Sequence, residues 1–159
     1  MSTERSARFT STDSANAEST TWLTPLPLVR SLGEFDLDPC GFTGHPTAKK
    51  LICLPENGLA TDWSGRVWLN PPYGKEARIW LEKLKEHGDG IALIFARLET
   101  KWIQPFLLDG FFQISGRISF LSSREGFKGN AGAASILIPF GRKNIGSILS
   151  SDIEGRWFQ

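Results

Sequence analysis

Between Lys75 and His87 the apolar residues Ala77, Trp80, Leu81 and Leu84 fall at i, i+3, i+4 and i+7, which is one face of a helix, and Gly88 is its natural stop. Ile91–Ala96 then runs apolar without interruption, as strands do in a parallel sheet covered on both sides. Upstream, Phe35-Asp36-Leu37-Asp38 alternates apolar and acidic and is stopped by Pro39, a short strand. Arg66–Leu69 is a second strand that runs straight into Asn70-Pro71-Pro72-Tyr73-Gly74, where two adjacent prolines end it. Before these, Thr24-Pro25 opens a helix that stops near Gly33. Glycines at 41, 44 and 58 and prolines at 39, 46 and 55 make residues 39–62 a long irregular connection, with one short strand at Leu51–Leu54.

Downstream, Thr100 caps a helix running to about Asp109 that Pro105 shortens or bends. Phe111–Ile114, Arg117–Leu121 and Ala134–Phe140 are further strands, the last two joined by a glycine-bearing segment suited to a binding loop. The first 20 residues hold nine Ser or Thr and little but Phe9 to bury, so they read as a mobile tail ahead of a single domain over residues 21–159. Strands and helices alternating through the middle give an α/β domain with a mostly parallel sheet ending in an antiparallel pair. In such sheets ligands gather at the carboxyl ends of the strands, where both Asp38 and Asn70 lie.

A chain of 159 residues that is 40% apolar and 22% charged builds one real core and is not a disordered polymer. Its longest apolar run is far below the roughly 20 residues of a membrane span, and Met1 opens onto polar residues, so a soluble, unexported protein is expected. Cys40 and Cys53 form no CxxC pair and His45 and His87 complete no metal spacing, so no metal site is expected. Trp68, Trp80 and Trp102 sit in strand and helix patterns and read as core.

The most informative residues are Asn70-Pro71-Pro72-Tyr73. They offer a carboxamide oxygen, a carbonyl with no competing amide hydrogen, and an aromatic ring, on a backbone that the prolines stiffen. Such a loop can hold an exocyclic NH2 through the Asn70 oxygen and the Pro71 carbonyl while Tyr73 stacks on the base that carries it. An amine held this way turns its lone pair outward and needs no strong general base to attack an activated methyl group.

An apolar strand followed by this tetrapeptide resembles the amino-methyltransferases, and the wider arrangement resembles the phage-type DNA N6-adenine methyltransferases of the Dam group. The matching pieces are Trp22-Leu23-Thr24-Pro25, Phe35 to Gly41, Gly58 to Trp63, Val67 to Tyr73, Gly116 to Phe120 and the strand Ser135 to Phe140. The resemblance implies an abbreviated Rossmann-like methyltransferase fold, S-adenosylmethionine as cofactor, and Asn70, Pro71, Pro72 and Tyr73 as the catalytic loop. It places Asp38, with Pro39, Cys40 and Gly41, beside the methionine or ribose part of the cofactor, Trp22, Thr24 and Pro25 closing over it, and Asp62 near its adenine. Thr24 read locally is equally a helix cap, and Asp62 a turn cap. The glycines of Asp38–Gly44 depart from the usual cofactor turn, and Asp38 and Asn70 lie only 32 positions apart, so the sheet is abbreviated there.

The resemblance also implies a DNA partner, with the target base flipped onto the loop. Net charge is only +1, but Arg117, Arg124, Lys128, Arg142 and Lys143 face the single acid Glu125 between 117 and 143. Arg117, Arg124 and Lys128, with Lys75 and Arg78 beside the catalytic loop, are the expected phosphate contacts; Lys75 and Arg78 serve equally as a solvated first helical turn. There is no space for a separate target-recognition domain, so sequence choice falls to loops or to a second subunit in a homodimer. A phage-encoded enzyme of this kind works in the bacterial host cytoplasm. The residues alone leave cytosine N4 or another planar amine open as the acceptor, and a non-catalytic nucleic-acid-binding module as a second reading. A dinucleotide-dependent oxidoreductase lacks its GxGxxG.

Overall fold

The computed structural model describes residues 7–8, 22–123, 128–130 and 132–159. In chain order the elements are β1 (Ala7–Arg8), β2 (Trp22–Leu23), α1 (Leu26–Ser31), β3 (Leu37–Asp38), β4 (Lys50–Leu51), β5 (Val67–Leu69), α2 (Ala77–His87), β6 (Gly90–Phe95), β7 (Phe111–Ile114), β8 (Ser119–Ser122), β9 (Lys128–Asn130), β10 (Ser135–Phe140), α3 (Arg142–Leu149) and β11 (Gly155–Phe158). A seven-stranded sheet has the order β11-β7-β10-β6-β5-β3-β4, and β1-β9-β8-β2 form a smaller one. Strands β4, β3, β5 and β6 are mutually parallel, whereas β10 runs antiparallel to β6 and β7, and β11 antiparallel to β7. The α/β class and the parallel sheet with an antiparallel end are as expected.

The continuous apolar run of β6 is explained by its place at the centre, where both faces are covered. Side chains alternate between two cores. Val67, Leu69, Ala92 and Ile94 pack with Trp80, Leu81 and Leu84 of α2. Trp68, Ile91 and Leu93 pack with Val29 and Leu32 around α1, with Ile148 of α3, and with Phe120 of β8. Helix α2 closes at Gly88, whose left-handed backbone (φ 81°) lets its N–H reach the Leu84 carbonyl oxygen. Trp68 and Trp80 are buried and Trp102 packs against the α2 core, as expected of core residues.

Several details differ from the sequence reading. The helix expected from Thr100 shrinks to a 3-10 turn at Gln104–Phe106, because Pro105 has no N–H to give and the Thr100 hydroxyl donates to Arg97 O instead of capping. The strand expected at Leu51–Leu54 is Lys50–Leu51. The antiparallel end is built from β10 and β11, since the chain leaving β8 returns first as β9 in the small sheet. Helix α3 and strand β11 were not anticipated. Of the tail expected to be mobile, Ala7–Arg8 pair in parallel with β9, and the rest of 1–20 lies outside the described residues.

The rim where the parallel strands begin is locked by polar groups. Arg66 donates through Nε to Asn144 Oδ1 at 2.7 Å, through Nη1 to Glu34 O at 3.0 Å and through Nη2 to Ser147 Oγ at 2.9 Å, with its guanidinium 4.1 Å from the Phe35 ring centroid. Asn144, fully buried, donates from Nδ2 to Asp89 Oδ1 at 2.8 Å and to Phe140 O at 2.7 Å. These bonds join α3, β5 and the turn before β6. Asn144→Ala leaves Arg66 and the Phe140 carbonyl short of a partner, and is expected to lower the unfolding free energy by about 2–4 kcal/mol in a urea titration. An unchanged midpoint would refute the role.

Candidate active site

Strand pairing decides which residues meet. Leu37 is level with Val67, and Val67 with Gly90. Counting upward, Asp38 and Asn70 emerge at the carboxyl ends of adjacent strands, and Phe95 comes level with the loop that follows β5. Alternation sends Asp38, Asn70 and Phe95 to the face that carries Trp68, on the α1 side of the sheet. The Tyr73 ring lies on Phe95, with centroids 4.3 Å apart and planes within 9°.

The Asn70 carboxamide is fixed from both ends. Its Nδ2 donates to Thr24 Oγ1 at 3.0 Å, and its Oδ1 accepts from the Tyr73 hydroxyl at 3.3 Å. Thr24 is buried and is not the cap of α1; Pro25 takes that position and its side chain makes no capping bond. The Thr24 carbonyl oxygen accepts from His45 Nε2 at 2.7 Å. Trp22 and Leu23 form β2 against β8, and Trp22 packs into the α1-side core, so the segment from Trp22 to Pro25 is anchored on both sides. Pro71 is buried and Pro72 exposed. No described N–H donates to the Pro71 carbonyl. Burial raises the Tyr73 phenol well above its ordinary pKa, against the opposing bond to Asn70, so it stays neutral and serves as a ring and a hydroxyl rather than as a base.

Asp38 is 4% exposed. Its Oδ1 accepts from the Cys40 N–H at 3.0 Å and its Oδ2 from the Thr47 hydroxyl. Among the described residues no lysine or arginine pairs with it. Burial therefore prevails over the two hydrogen bonds and lifts its pKa to about 6. Beside it, burial and the Asp38 and Glu76 carboxylates push the Cys40 thiol far up, so it stays protonated. The turn fits only small residues at two points. Gly41 passes so close to Leu51 that a β-carbon there would stand 2.8 Å from Leu51 Cβ, and one on Gly58 would stand 2.1 Å from the Pro39 carbonyl oxygen.

The segment carrying Asp62 is organised by a residue that the sequence did not single out. Lys83 of α2 donates from Nζ to Leu59 O at 2.8 Å and Thr61 O at 2.6 Å, and sits 4.9 Å from the Trp63 centroid. Trp63 donates to Gly58 O at 2.8 Å and stacks on Trp80 at 6.3 Å, so its ring belongs to the packing of α2. Asp62 is exposed, and the turn is capped by Asn57 instead. His45, Thr47 and Phe95 were missed as well. Nothing in spacing announces the first two, whereas Phe95, as the outermost aromatic of the β6 run, stood at the right rim.

The expected DNA contacts are not one patch. Lys75 and Arg78 are exposed next to the Asn70 loop, and Arg78 Nε donates to Glu82 Oε1 at 2.8 Å along α2. Arg117 is exposed just beyond β7. Lys128 is described only as part of β9, and Arg124 lies outside the described residues. Arg142 and Lys143 open α3 after β10 has crossed the sheet, so they stand at the opposite rim from Asn70; the basic stretch from 117 to 143 is split in two.

No described helix is long and apolar enough to cross a membrane. No curated protein and no solved structure matches the chain. The family model described as DNA N-6-adenine-methyltransferase (Dam) matches residues 11–156, which takes in β2 to β10, the Asp38 turn and the Asn70 loop. The chain therefore belongs to the DNA N-6-adenine-methyltransferase family, whose reaction is methylation of adenine at N6 in DNA.

Proposed function

We propose that residues 21–159 act as one catalytic domain in which Asn70, Pro71, Pro72 and Tyr73 grip the flipped target adenine. The observation that carries this reading is the Asn70 carboxamide, oriented by Thr24 on one side and Tyr73 on the other beside the uncommitted Pro71 carbonyl. A planar amine donating to Asn70 Oδ1 and Pro71 O replaces the long bond from Tyr73, and the base stacks against the Tyr73–Phe95 pair. Both acceptors draw on the N–H bonds and leave the nitrogen lone pair clear, so the loop activates the amine without a strong base. Flipping costs a few kcal/mol, which stacking and backbone contacts recover.

The same reading assigns S-adenosylmethionine to the Asp38 side of the rim. A buried carboxylate with two neutral donors and, among the described residues, no cationic partner is complementary to a ligand that brings a positive charge, and the cofactor's ammonium group does so. When bound, the cofactor supplies a methyl group on a sulfonium, an electrophile that a neutral amine can attack. Asp38 would hold the ammonium or a ribose hydroxyl, with Pro39, Cys40 and Gly41 forming the wall of that site. Trp22, Thr24 and Pro25 would bound it from the amino-terminal side, and Asp62 would approach its adenine. Lys75, Arg78, Arg117, Arg124 and Lys128 are assigned to DNA.

Purified protein incubated with methyl-labelled cofactor and unmethylated DNA is expected to yield N6-methyladenine on nucleoside mass spectrometry. Labelled N4-methylcytosine, or unlabelled DNA, overturns the assignment. Asn70→Ala is expected to cut the rate at least a hundredfold, the usual scale for losing one oriented hydrogen-bonding group in a transition state. Its circular dichroism should stay native, with about 1–2 kcal/mol of stability lost with the Thr24 and Tyr73 bonds.

A pH dependence follows from Asp38. Its folded pKa lies above the unfolded value, so between about pH 4 and 6 the unfolded chain has already released a proton that the folded chain retains. Its contribution to stability therefore falls as pH rises through that window and is flat above it. Cofactor affinity moves the other way, rising towards a plateau above about pH 6 as the carboxylate forms. Calorimetric titration across pH 5 to 8 should show this rise in the native protein. Asp38→Asn should bind at least tenfold more weakly with a flat profile; a variant that retains the native profile removes Asp38 from the site.

A further inference from the structure

The carboxyl rim continues past the catalytic loop, and its far end carries a feature that the assignments above do not use. Strand β7 runs in the same direction as β6 with antiparallel β10 between them, so β7 ends, β10 begins and β11 begins all on the rim of Asn70. There a groove of about 600 Å³ is lined by Gln113, Ser115, Gly116, Arg117, Arg156 and Phe158 among others. Arg156 and Phe158, level with Gln113 and Phe111, lie on the α2 face of the edge strand β11, the face opposite the one Asn70 shares, with the guanidinium 5.8 Å from the Phe158 ring centroid. Phe158 is 39% exposed and stacks on Phe111 at 5.3 Å with planes within 14°, a braced aromatic surface at the protein's edge. Arg97, exposed just beyond β6, stands on the rim between this groove and the Tyr73–Phe95 pair. Glu154, exposed, precedes β11 and has its carbonyl tied to the Ser115 N–H at 2.9 Å.

We infer that this groove is a second DNA-binding site, which holds the sugar-phosphate backbone and one base of the strand flanking the target nucleotide. Two guanidinium groups suit phosphodiester oxygens, and the Phe158 ring suits a base face regardless of sequence. The spacing suits DNA as well. Strands lie roughly 4.8 Å apart, so β7 and β11 stand three and four steps from β5, on the order of 14 and 19 Å along the rim, and a DNA strand that reaches Arg156 also passes over the rim to the α2 face. At 3.4 Å per nucleotide along one strand, the rim distance alone is about four to six nucleotides from the target. The inference rests on DNA as the substrate, and extends the contact expected at Arg117 to Arg156 and Phe158.

The test measures binding of a labelled duplex by fluorescence anisotropy over a range of salt concentrations, with methyl transfer assayed in parallel. Replacing both Arg117 and Arg156 by Ala should reduce the slope of log affinity against log salt by roughly two, one for each lost phosphate contact. Lys143→Ala, which removes one positive charge at the opposite rim, should leave the slope as in the native chain. Phe158→Ala should weaken binding roughly tenfold with the slope kept. Shortening one flank of the duplex below about four base pairs should weaken the native protein and leave the double variant little affected. A native slope in the double variant, or an equal drop in Lys143→Ala, overturns the groove. If groove variants bind like the native protein while transfer proceeds, the groove is wrong and the catalytic reading stands. If the native protein transfers no methyl group while the slope of the double variant falls as expected, the groove stands and the catalytic reading is wrong.

Discussion

Three short parallel strands, paired in one register, bring the chemistry of this chain to a single rim. β3 has two residues, β5 three and β6 six, yet their pairing levels Leu37 with Val67 and Val67 with Gly90. Because side chains alternate, a slip of one residue would send Asn70 to the α2 face and leave Asp38 on the other. The register is held by what each face buries. Trp68, without exposure, fits only the α1 side, and Val67 and Leu69 fit only against α2. The apolar core and the polar site are therefore two results of one constraint.

The two rims divide their tasks. At the start of the parallel strands, Arg66 and Asn144 satisfy one another and the surrounding carbonyls, which closes that end and sets α3 on it. At the carboxyl end, Asp38 is buried with neutral donors only among the described residues, a state that the folded chain tolerates by raising the pKa to about 6. A carboxylate in that position opposes folding, and on the proposed reading a cationic ligand would turn that loss in the free protein into binding selectivity. His45 and Thr47 show how the loop manages this tension. One anchors the Thr24 carbonyl and the other the Asp38 carboxylate, so the irregular segment after β3 ties both walls of the site together.

Much of this was legible in the sequence because it rests on local rules. The helical spacing of Ala77, Trp80, Leu81 and Leu84, the apolar run of β6 and the prolines after Asn70 each determine structure within a few residues. What escaped depends on contacts distant along the chain. α3 carries Arg142, Lys143 and Asn144 in its first turn and Gly146 at its middle, a weak pattern that becomes a helix because Asn144 finds Arg66, 78 positions earlier. β2 has two residues and exists only because β8 pairs with it. Thr24 had both marks of a helix cap, and the tertiary fold used its hydroxyl for Asn70 instead. Likewise, a run of basic residues in sequence did not become a patch, because β10 carries the chain across the sheet between Arg117 and Arg142.

That crossing bears on how so short a chain can engage a polymer. Only 32 positions separate Asp38 from Asn70, and β4 lies directly against β3, so the sheet ends soon after the Asp38 turn and gives little width on that side. All the remaining width lies on the other side of the Asn70 loop, where β6, β10, β7 and β11 follow one another. With its target base at Tyr73, as proposed, a long, anionic substrate would find most of its protein surface in one direction only. The strand ends there present Arg97, Arg117 and Arg156 on the rim, whereas the cations on α3 are turned away with the opposite rim. On that reading an asymmetric footprint, extended toward β11 and short toward β4, would be the geometric consequence of inserting an antiparallel strand where a further parallel unit would have carried the chain outward.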